Sequence, residues 1–380
     1  MEVSLPGLYN SNHFDLLVAG AGPAGLACAI AASMRGLRVH VVDGRKPPID
    51  KACGEGLMPD TLASLTKLGI ERERMDAVGR PLRGISFIRD GHAVEGAFPE
   101  GHGLGIRRTN LHQLLHQRAL ELGVTFRWQT TVTGVSDGEL QTTHGTMRAR
   151  WIAAADGPQS RIRRMAGLEA QSKGRRRIAL RQHFSVAPWT DMVEVHWTQH
   201  AQAYVTPISH DEICIVFIGS SRFQSLQQAI SLFPALRERL GTAALSGSPL
   251  GAATRNRRLR RVTAGNIALI GDASGSVDAI TGEGLALCFR QADALADALM
   301  AGDLSLYERQ HRQLSRLPLF MARSMLLMDR HPLALSTTFR AFKRRTELFP
   351  RMLEVHVGYR PMRLLGSGGL LATLIAMLIP

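Results

Sequence analysis

The sequence predicts an α/β fold: a parallel sheet with helices on its faces, an antiparallel sheet inserted into it, and a helical region at the C-terminal end. Three observations carry this. Phe14 to Ala19 and Asn266 to Ile270 are short apolar runs that each end in a glycine turn, the pattern of strands buried on both faces of a parallel sheet. Between Arg177 and Gly219 the chain breaks into several short apolar or alternating pieces, as antiparallel strands do. From Leu304 onward the sequence reads as helix.

Taken in order, Phe14 to Ala19 is a strand, Pro23 to Met34 a helix rich in small residues, and Arg38 to Val42 a second strand ending at Asp43. Together they make one βαβ unit. Asp60 to Leu68 is a helix with Leu62, Leu65 and Leu68 on one face. Gly84 to Phe98 alternates around Asp90-Gly91, a hairpin signal. Thr109 to Leu122 is a helix with Thr109 as its N-cap. Short strands follow to Ala155, with turns at Asp137-Gly138 and His144-Gly145. The antiparallel pieces are Val193 to Trp197, Ala203 to Pro207 and Ile213 to Ile218. Gly282 to Met300 is a long helix whose apolar positions, Leu285, Cys288, Phe289, Ala292, Leu295, Ala296 and Leu299, keep helical spacing.

A chain of 380 residues with 45% hydrophobic and 21% charged residues is an ordinary globular protein with room for two intertwined domains. Its formal charge is +14, which favours phosphate-bearing cofactors, an anionic membrane surface or nucleic acid. The basic clusters at Lys173 to Arg177, Arg255 to Arg261 and Arg340 to Arg345 are not interleaved with stacking aromatics, so nucleic acid is not expected. Cys28, Cys53, Cys214 and Cys288 form no CxxC pair, and Met1 to His13 lacks the layout of a secretory signal. A cytoplasmic location follows. Leu364 to Pro380 is nearly all apolar or small, broken by Gly366, Ser367, Gly368 and Gly369. Two readings stay open for it: a helix packed on the body, or a membrane-surface anchor on the cytoplasmic face helped by Arg351, Arg360 and Arg363.

The first chemical motif is Gly20-Ala21-Gly22-Pro23-Ala24-Gly25. GxGxxG alone is weak, but here it leaves a strand, opens a helix and precedes Asp43, 18 residues after Gly25. That is the Rossmann dinucleotide fingerprint, in which the acid about 20 residues on accepts from the ribose. Gly20 permits the tight turn, Gly22 the close approach of a pyrophosphate, and Gly25 tight helix–strand packing. The helix N-terminus offers free N–H groups to the phosphates.

The second motif is Ala155-Asp156-Gly157-Pro158-Gln159-Ser160, followed by Arg163. The third is Gly271-Asp272-Ala273-Ser274-Gly275, leading into Thr281-Gly282-Glu283-Gly284-Leu285. In this order the three resemble the FAD-dependent aromatic hydroxylases and their relatives, the geranylgeranyl reductases, over roughly residues 14 to 300. The resemblance implies a Rossmann-like FAD-binding domain of the GR2 type, made of residues 14–80, 101–170 and 258–310. It implies a substrate-binding sheet from 81–100 and 171–257, and a C-terminal helical region over 311–380. It places Gly20, Gly22, Pro23, Ala24, Gly25, Asp43, Gly44 and Arg45 at the ADP half of FAD, and Arg108 near the phosphates. Asp156 and Gly157 would lie at the FAD and nicotinamide sites. Gly271 and Asp272 would lie at the ribityl chain, and Gly282, Glu283 and Gly284 at the pyrimidine end of the flavin.

Two segments are similar to the lipid-reductase branch: residues 271–284, and Lys51-Ala52-Cys53-Gly54-Glu55-Gly56-Leu57, which resembles its Cys-Gly-Gly-Gly-Leu loop. Two positions depart from the hydroxylase pattern, Ala279 for proline and Asp278 for asparagine. Glu194 to Trp197, Ala203 to Pro207 and Asp211 to Phe217 look like bacterial flavoproteins that act beside type III polyketide synthases making alkylresorcinols. No Gly-Trp-x-Trp-x-Ile-Pro segment is present, which argues against halogenation. The resemblance implies an NAD(P)H- and oxygen-dependent FAD monooxygenase hydroxylating a phenolic lipid or polyketide ring. The alternative is an FAD-dependent reductase saturating isoprenoid lipid double bonds, and a third reading is a non-enzymatic or structural membrane flavoprotein.

Tyr204, His183 and Cys53 are the candidate catalytic residues. Tyr204 or a sheet histidine (His183, His196) would orient a phenol or take its proton, with Arg181 on the same sheet. Cys53 would line the site or simply fit a tight turn. His112 and His116 share a helix face, but Gln113 stands where a zinc-protease motif needs glutamate, so no metal is expected. Arg290 and Asp293 read as a solvated or ion-paired face. Leu319, Met321, Met325, Leu326, Leu327 and Met328 form an apolar stripe, either core or the greasy mouth of a lipid site.

Overall fold

The computed structural model describes residues 14–169, 176–199, 201–219, 223 and 225–361. The apolar tail from Leu364 and the N-terminal residues 1–13 lie outside the described residues, as do Lys173, Arg363 and their neighbours.

The parallel sheet forms where the sequence is locally most apolar. Phe14–Ala19 is its centre. It pairs in parallel with Val39–Val42 on one side and Gly145–Ala154 on the other. Thr125–Arg127 extends one edge and Ile267–Leu269 the other, both in parallel. Thr263–Ala264 closes the latter edge antiparallel. The helix Pro23–Ser33 is buried along nearly its whole length because its small residues let it sit between the sheet and the helix Gly284–Ala301. Leu16, Leu17, Leu26, Ile30, Leu269 and Leu295 are fully buried in this core.

The second sheet has the order Ala244–Thr254, Arg177–Ser185, Glu212–Gly219, Ala201–Pro207, Met192–Trp197, Gly84–Arg89, His92–Ala97. All neighbours are antiparallel except Met192–Trp197 with Gly84–Arg89. The hairpin turn at Asp90-Gly91 has φ of 49° and 75°, as a two-residue turn matched to strand twist requires. The architecture is thus mixed α/β with one parallel and one antiparallel sheet.

Most starts shift by a residue or two from the sequence reading, and two of the shifts have a visible cause. The helix expected over Thr109 to Leu122 spans Arg108–Glu121 with Arg107, not Thr109, at its N-cap position. Arg107 instead pairs with Glu212, so tertiary contact overrides the capping preference. The long helix spans Gly284–Ala301 and not residues 282–300. A short 3₁₀ turn, Ala279–Thr281, and Gly282 at φ 70° precede it. Four helices follow: Leu304–Leu314, Arg316–Arg330, Pro332–Arg344 and Leu348–His356. Leu304–Leu314 packs on the first core beside Gly284–Ala301, and the last three cover the open face of the second sheet, where Phe87, Val195, Trp197, Met325, Phe339 and Phe349 pack together. No helix among the described residues is long and apolar enough to cross a membrane.

Candidate active site

The first glycine turn is shaped by contacts that exclude side chains. A Cβ on Gly20 would sit 2.4 Å from the Ala155 carbonyl oxygen, and one on Gly25 would sit 1.8 Å from the Gly20 oxygen. Gly22 differs: a Cβ there would meet no protein atom within 4 Å. Its bare backbone faces a cavity. Asp43 is buried, and its carboxylate accepts from the Ala21 amide at 2.8 Å and from the Arg45 amide at 2.8 Å. His112 donates from Nε2 to the Ala21 carbonyl at 3.0 Å. Burial pushes its imidazole down to about 4, so it is a neutral brace for the turn. His116 packs edge-on against Phe126 and Trp128.

The other two turns close on the first. The Gly20 turn abuts Ala155, and a Cβ on Gly271 would lie 2.6 Å from the Ala24 Cβ. Asp156 accepts from the Arg161 and Ile162 amides at 2.8 and 3.2 Å, which fixes the turn at Gly157. Arg163 is fully buried and ties the second motif to the third. It donates to the Pro158 and Ala273 carbonyls, both at 3.0 Å, and to Glu169 at 3.1 Å. Asp272 pairs with Lys51 at 3.2 Å. Gly271 donates its amide to the Gln291 side chain at 2.9 Å.

All three turns line one cavity of about 1730 Å³. That exceeds the ~300–1,000 Å³ of one small-ligand pocket, leaving room for two ligands side by side. One part is polar: Gly20, Gly22, Pro23, Ala24, Asp43, Gly44, Arg45, Arg108, Asp156, Gly157, Gly271, Asp272, Gly282 and Gly284 all border it. The other part is apolar, walled by Leu57, Met58, Phe87, Val193, Met321, Met325, Phe349, Met352 and Leu353. The Met321/Met325 stripe therefore belongs both to the core and to the wall. Arg108 is buried, borders the cavity, and its Nε has no partner among the described residues. A bare-backbone cradle, a buried acid and an unsatisfied buried guanidinium suit an extended dinucleotide diphosphate.

The candidate catalytic residues separate. Cys53 borders the cavity. Tyr204 does too, but its hydroxyl donates to the Ile280 carbonyl at 2.7 Å, and burial pushes the phenol well above its ordinary range. It holds the 3₁₀ turn and offers no base. His183 is not on the cavity wall. It is buried, with Nε2 at 2.6 Å from Glu55. His196 likewise pairs with Glu194 at 2.9 Å. Glu283 does not reach the cavity; its side chain is buried behind the turn. Glu55, His183 and Cys214 bring possible ligand atoms within 4.8 Å of one another. The Arg181 guanidinium, 3.1 Å from Glu55, already occupies that charge, and burial keeps the Cys214 thiol protonated.

Several functional contacts lay outside the sequence reading. Glu55, at φ 59°, anchors the Cys53 loop to Arg181, His183 and the Arg108 amide. Asp278 is 1% exposed and pairs at 2.9 Å with Arg177, itself 3% exposed. It also accepts from the Ile280 amide at 3.1 Å. The signal for Asp278 was present as a departure from asparagine, but its partner lies 101 residues away. Arg290 pairs with Asp60 at 3.6 Å, and Asp293 with Arg35 at 2.6 Å, so that helix face is ion-paired.

Comparison with known proteins places this geometry. A family model described as FAD binding domain matches residues 13–302. The chain is 28% identical over 364 residues to menaquinone reductase of Mycobacterium tuberculosis, covering 85% of this chain and 86% of that protein. It is 28% identical over 303 residues to digeranylgeranylglycerophospholipid reductase 2 of Methanosphaera stadtmanae, covering 71% and 74%. Among solved structures, p-nitrophenol 4-monooxygenase of Pseudomonas putida superposes with a TM-score of 0.78 at 17% identity, over 92% of this chain and 100% of that one. At that identity the likeness is one of fold. The matched model covers most of the chain and its three turns meet at one cavity, so this protein belongs to the FAD-binding flavoprotein oxidoreductases.

Proposed function

We propose that this protein is an FAD-dependent reductase that saturates a double bond in the isoprenoid chain of a lipid. The observation that carries the reading is the apolar half of the cavity, where Met, Leu, Val and Phe side chains run up to the turn at Gly282. A long hydrocarbon chain buried there is held by its area alone, and the dry wall keeps water from the reacting atoms. Tyr204 and His183, the groups offered above to orient a phenol or take its proton, are bonded to the Ile280 carbonyl and to Glu55. The two relatives matched along most of the chain are named for reduction of menaquinone and of digeranylgeranylglycerophospholipid, and both of those compounds carry isoprenoid chains.

When bound, FAD supplies the two-electron chemistry. The chain's own residues do the rest. Gly22, Pro23 and Ala24 offer backbone to the pyrophosphate, Asp43 accepts from the ribose, and Arg108 neutralises phosphate. Asp156, Gly157, Gly271 and Asp272 border the cavity between these groups and the Gly282 turn, and would hold the middle of the cofactor. The N-terminus of Gly284–Ala301, which borders the cavity, would stabilise negative charge on the reduced cofactor. We infer a nicotinamide electron donor, NADPH or NADH. Arg161, Arg164, Arg176 and Arg255 border the cavity with no acidic partner among the described residues, and guanidinium groups suit its phosphates. Residues 81–100 and 171–257 form the substrate sheet in this reading.

The test is product mass spectrometry with menaquinone, prenyl lipids and alkylresorcinols under labelled oxygen. The expected product gains two hydrogens and no oxygen label. Label in a hydroxylated ring would replace this reading with phenolic hydroxylation.

A further inference from the structure

The helix Arg316–Arg330 has two unlike faces. Met321 and Met325 point inward, where they wall the apolar half of the cavity. Arg316, Arg323, Leu327 and Arg330 are exposed. At the helical period these four fall in one stripe, and positions 321 and 325 fall on the opposite side. The next helix, Pro332–Arg344, repeats the arrangement. Its Leu335, Phe339 and Phe342 enter the same core as Met325, while Leu333, Arg340, Lys343 and Arg344 are exposed. Both helices bury their inner faces in one core against the second sheet, so both outer faces look away from that sheet on the same side of the molecule.

Charge on this side is of one sign. Between Arg309 and Thr346 the only acid in the sequence is Asp329, and its carboxylate is buried against Arg177. Of the acids on neighbouring elements, Asp90 pairs with Arg89 and Glu354 with Arg360, and Glu347 is exposed past the end of the second helix. Arg316, Arg323, Arg330, Arg340, Lys343 and Arg344 have no acidic partner among the described residues. Two leucines stand among these cations. Leu327 is 45% exposed, and Leu333, at 81%, is the most exposed large hydrophobic residue among the described residues. Guanidinium and ammonium groups interleaved with leucines match an anionic lipid surface: the cations meet phosphates and the leucines enter the acyl boundary. A nucleic acid answers the charge but offers no apolar phase to the leucines.

We propose that the outer faces of Arg316–Arg330 and Pro332–Arg344 dock on an anionic bilayer. The surface does not include the apolar tail from Leu364. It sets the apolar half of the cavity one helix width, about 10 Å, from the lipid, because Met321 and Met325 stand on the cavity side of the helix that carries Arg323 and Leu327. The docking is independent of the reductase reading. That a substrate chain passes from the bilayer to the cavity at this helix rests on that reading.

The full FAD-loaded chain tests the two statements separately. It should co-sediment with vesicles of phosphatidylcholine and phosphatidylglycerol at low salt, come off at high salt, and leave vesicles of phosphatidylcholine alone. The triple variant Arg323→Gln, Arg330→Gln, Arg340→Gln should lower the partition coefficient at least about tenfold, since each cation near such a surface contributes several-fold. Its melting temperature should be unchanged. Leu333→Ser removes only apolar area and should lower the coefficient about threefold or more. No sedimentation, equal binding to the neutral vesicles, or a triple variant that binds like the parent overturns the docking. Parental affinity in Leu333→Ser would make the face a site for a water-soluble polyanion and overturns the bilayer as its occupant. With a prenyl lipid carried in the same vesicles, the triple variant should raise the KM for that lipid several-fold while reduction of FAD by the nicotinamide keeps its rate. An equal KM overturns the delivery route. If the parent saturates no prenyl lipid, the reductase reading fails and the delivery route with it, while the sedimentation result stands alone.

Discussion

Replacing Arg177 by methionine probes the joint between the two sheets at the flavin turn. In the parent, Arg177 and Asp278 are almost wholly buried and 2.9 Å apart. A second acid, Asp329, lies 3.4 Å from the guanidinium, and Gln202 also accepts from it. Methionine fills the space of the stem but strands two carboxylates away from water. Breaking a buried pair from one side costs about 3–5 kcal/mol, a large part of a typical ~5–15 kcal/mol of stability. Asp278→Asn is the milder change. The asparagine oxygen still accepts from the Ile280 amide, and Arg177 keeps Asp329, so about 1–2 kcal/mol is expected. The double variant should recover about 1–3 kcal/mol relative to the sum of the single changes, the coupling of residues in direct contact. Urea melts of the FAD-loaded proteins give the four free energies, and gel filtration gives the FAD retained. Because Asp278 shapes the turn before Gly282, Arg177→Met should also release flavin. A melt within about 0.5 kcal/mol of the parent, or no recovery in the double variant, would refute the reasoning.

Gly22→Leu should lower FAD affinity at least tenfold, by fluorescence titration, with little change in the apoprotein melt, because its side chain enters only the cavity; Gly20→Leu should instead prevent folding. Tyr204→Phe strands the Ile280 carbonyl and should cost about 1–3 kcal/mol without altering the pH profile of turnover between pH 6 and 9, since the phenol does not titrate there. His112 carries its shift downward, from 6.5 to about 4. The unfolded chain takes a proton that the fold refuses, so stability is full above about pH 6.5 and is lost as pH falls toward 4. His112→Gln should flatten the dependence of melting temperature on pH in that window without abolishing it, because His40 and His311 are shifted the same way. Arg164→Gln with Arg255→Gln should raise the KM for NADPH several-fold and weaken its salt dependence, leaving FAD affinity unchanged; an unaltered KM would remove these arginines from the donor site.

What was legible in the sequence was what is local. Phe14–Ala19 and the Gly20–Gly25 turn declare themselves because strand, glycines and helix are contiguous, and the steric need at each glycine is met within a few residues. The Asp90-Gly91 hairpin is legible for the same reason. The braces were not. Arg163 follows the second motif in the sequence, but only the Ala273 carbonyl, 110 residues on, shows why it is buried. Glu55 stands in a loop where glycine was the pattern, and only the sheet residues Arg181 and His183 explain a carboxylate there. His183 shows the converse: alternation put it on the right sheet, but could not tell that an acid from the Cys53 loop pairs with its ring.

The strand order has a consequence for how the molecule is made. Ile267–Leu269 joins the edge of a sheet whose centre, Phe14–Ala19, left the ribosome some 250 residues earlier. Until that late strand and the helix behind it emerge, Gly145–Ala154 keeps a bare hydrogen-bonding edge, and only two of the three glycine turns exist. Nascent or truncated chains ending before Gly271 should therefore be sticky and colourless, and yellow colour during synthesis would mark the moment the sheet is closed.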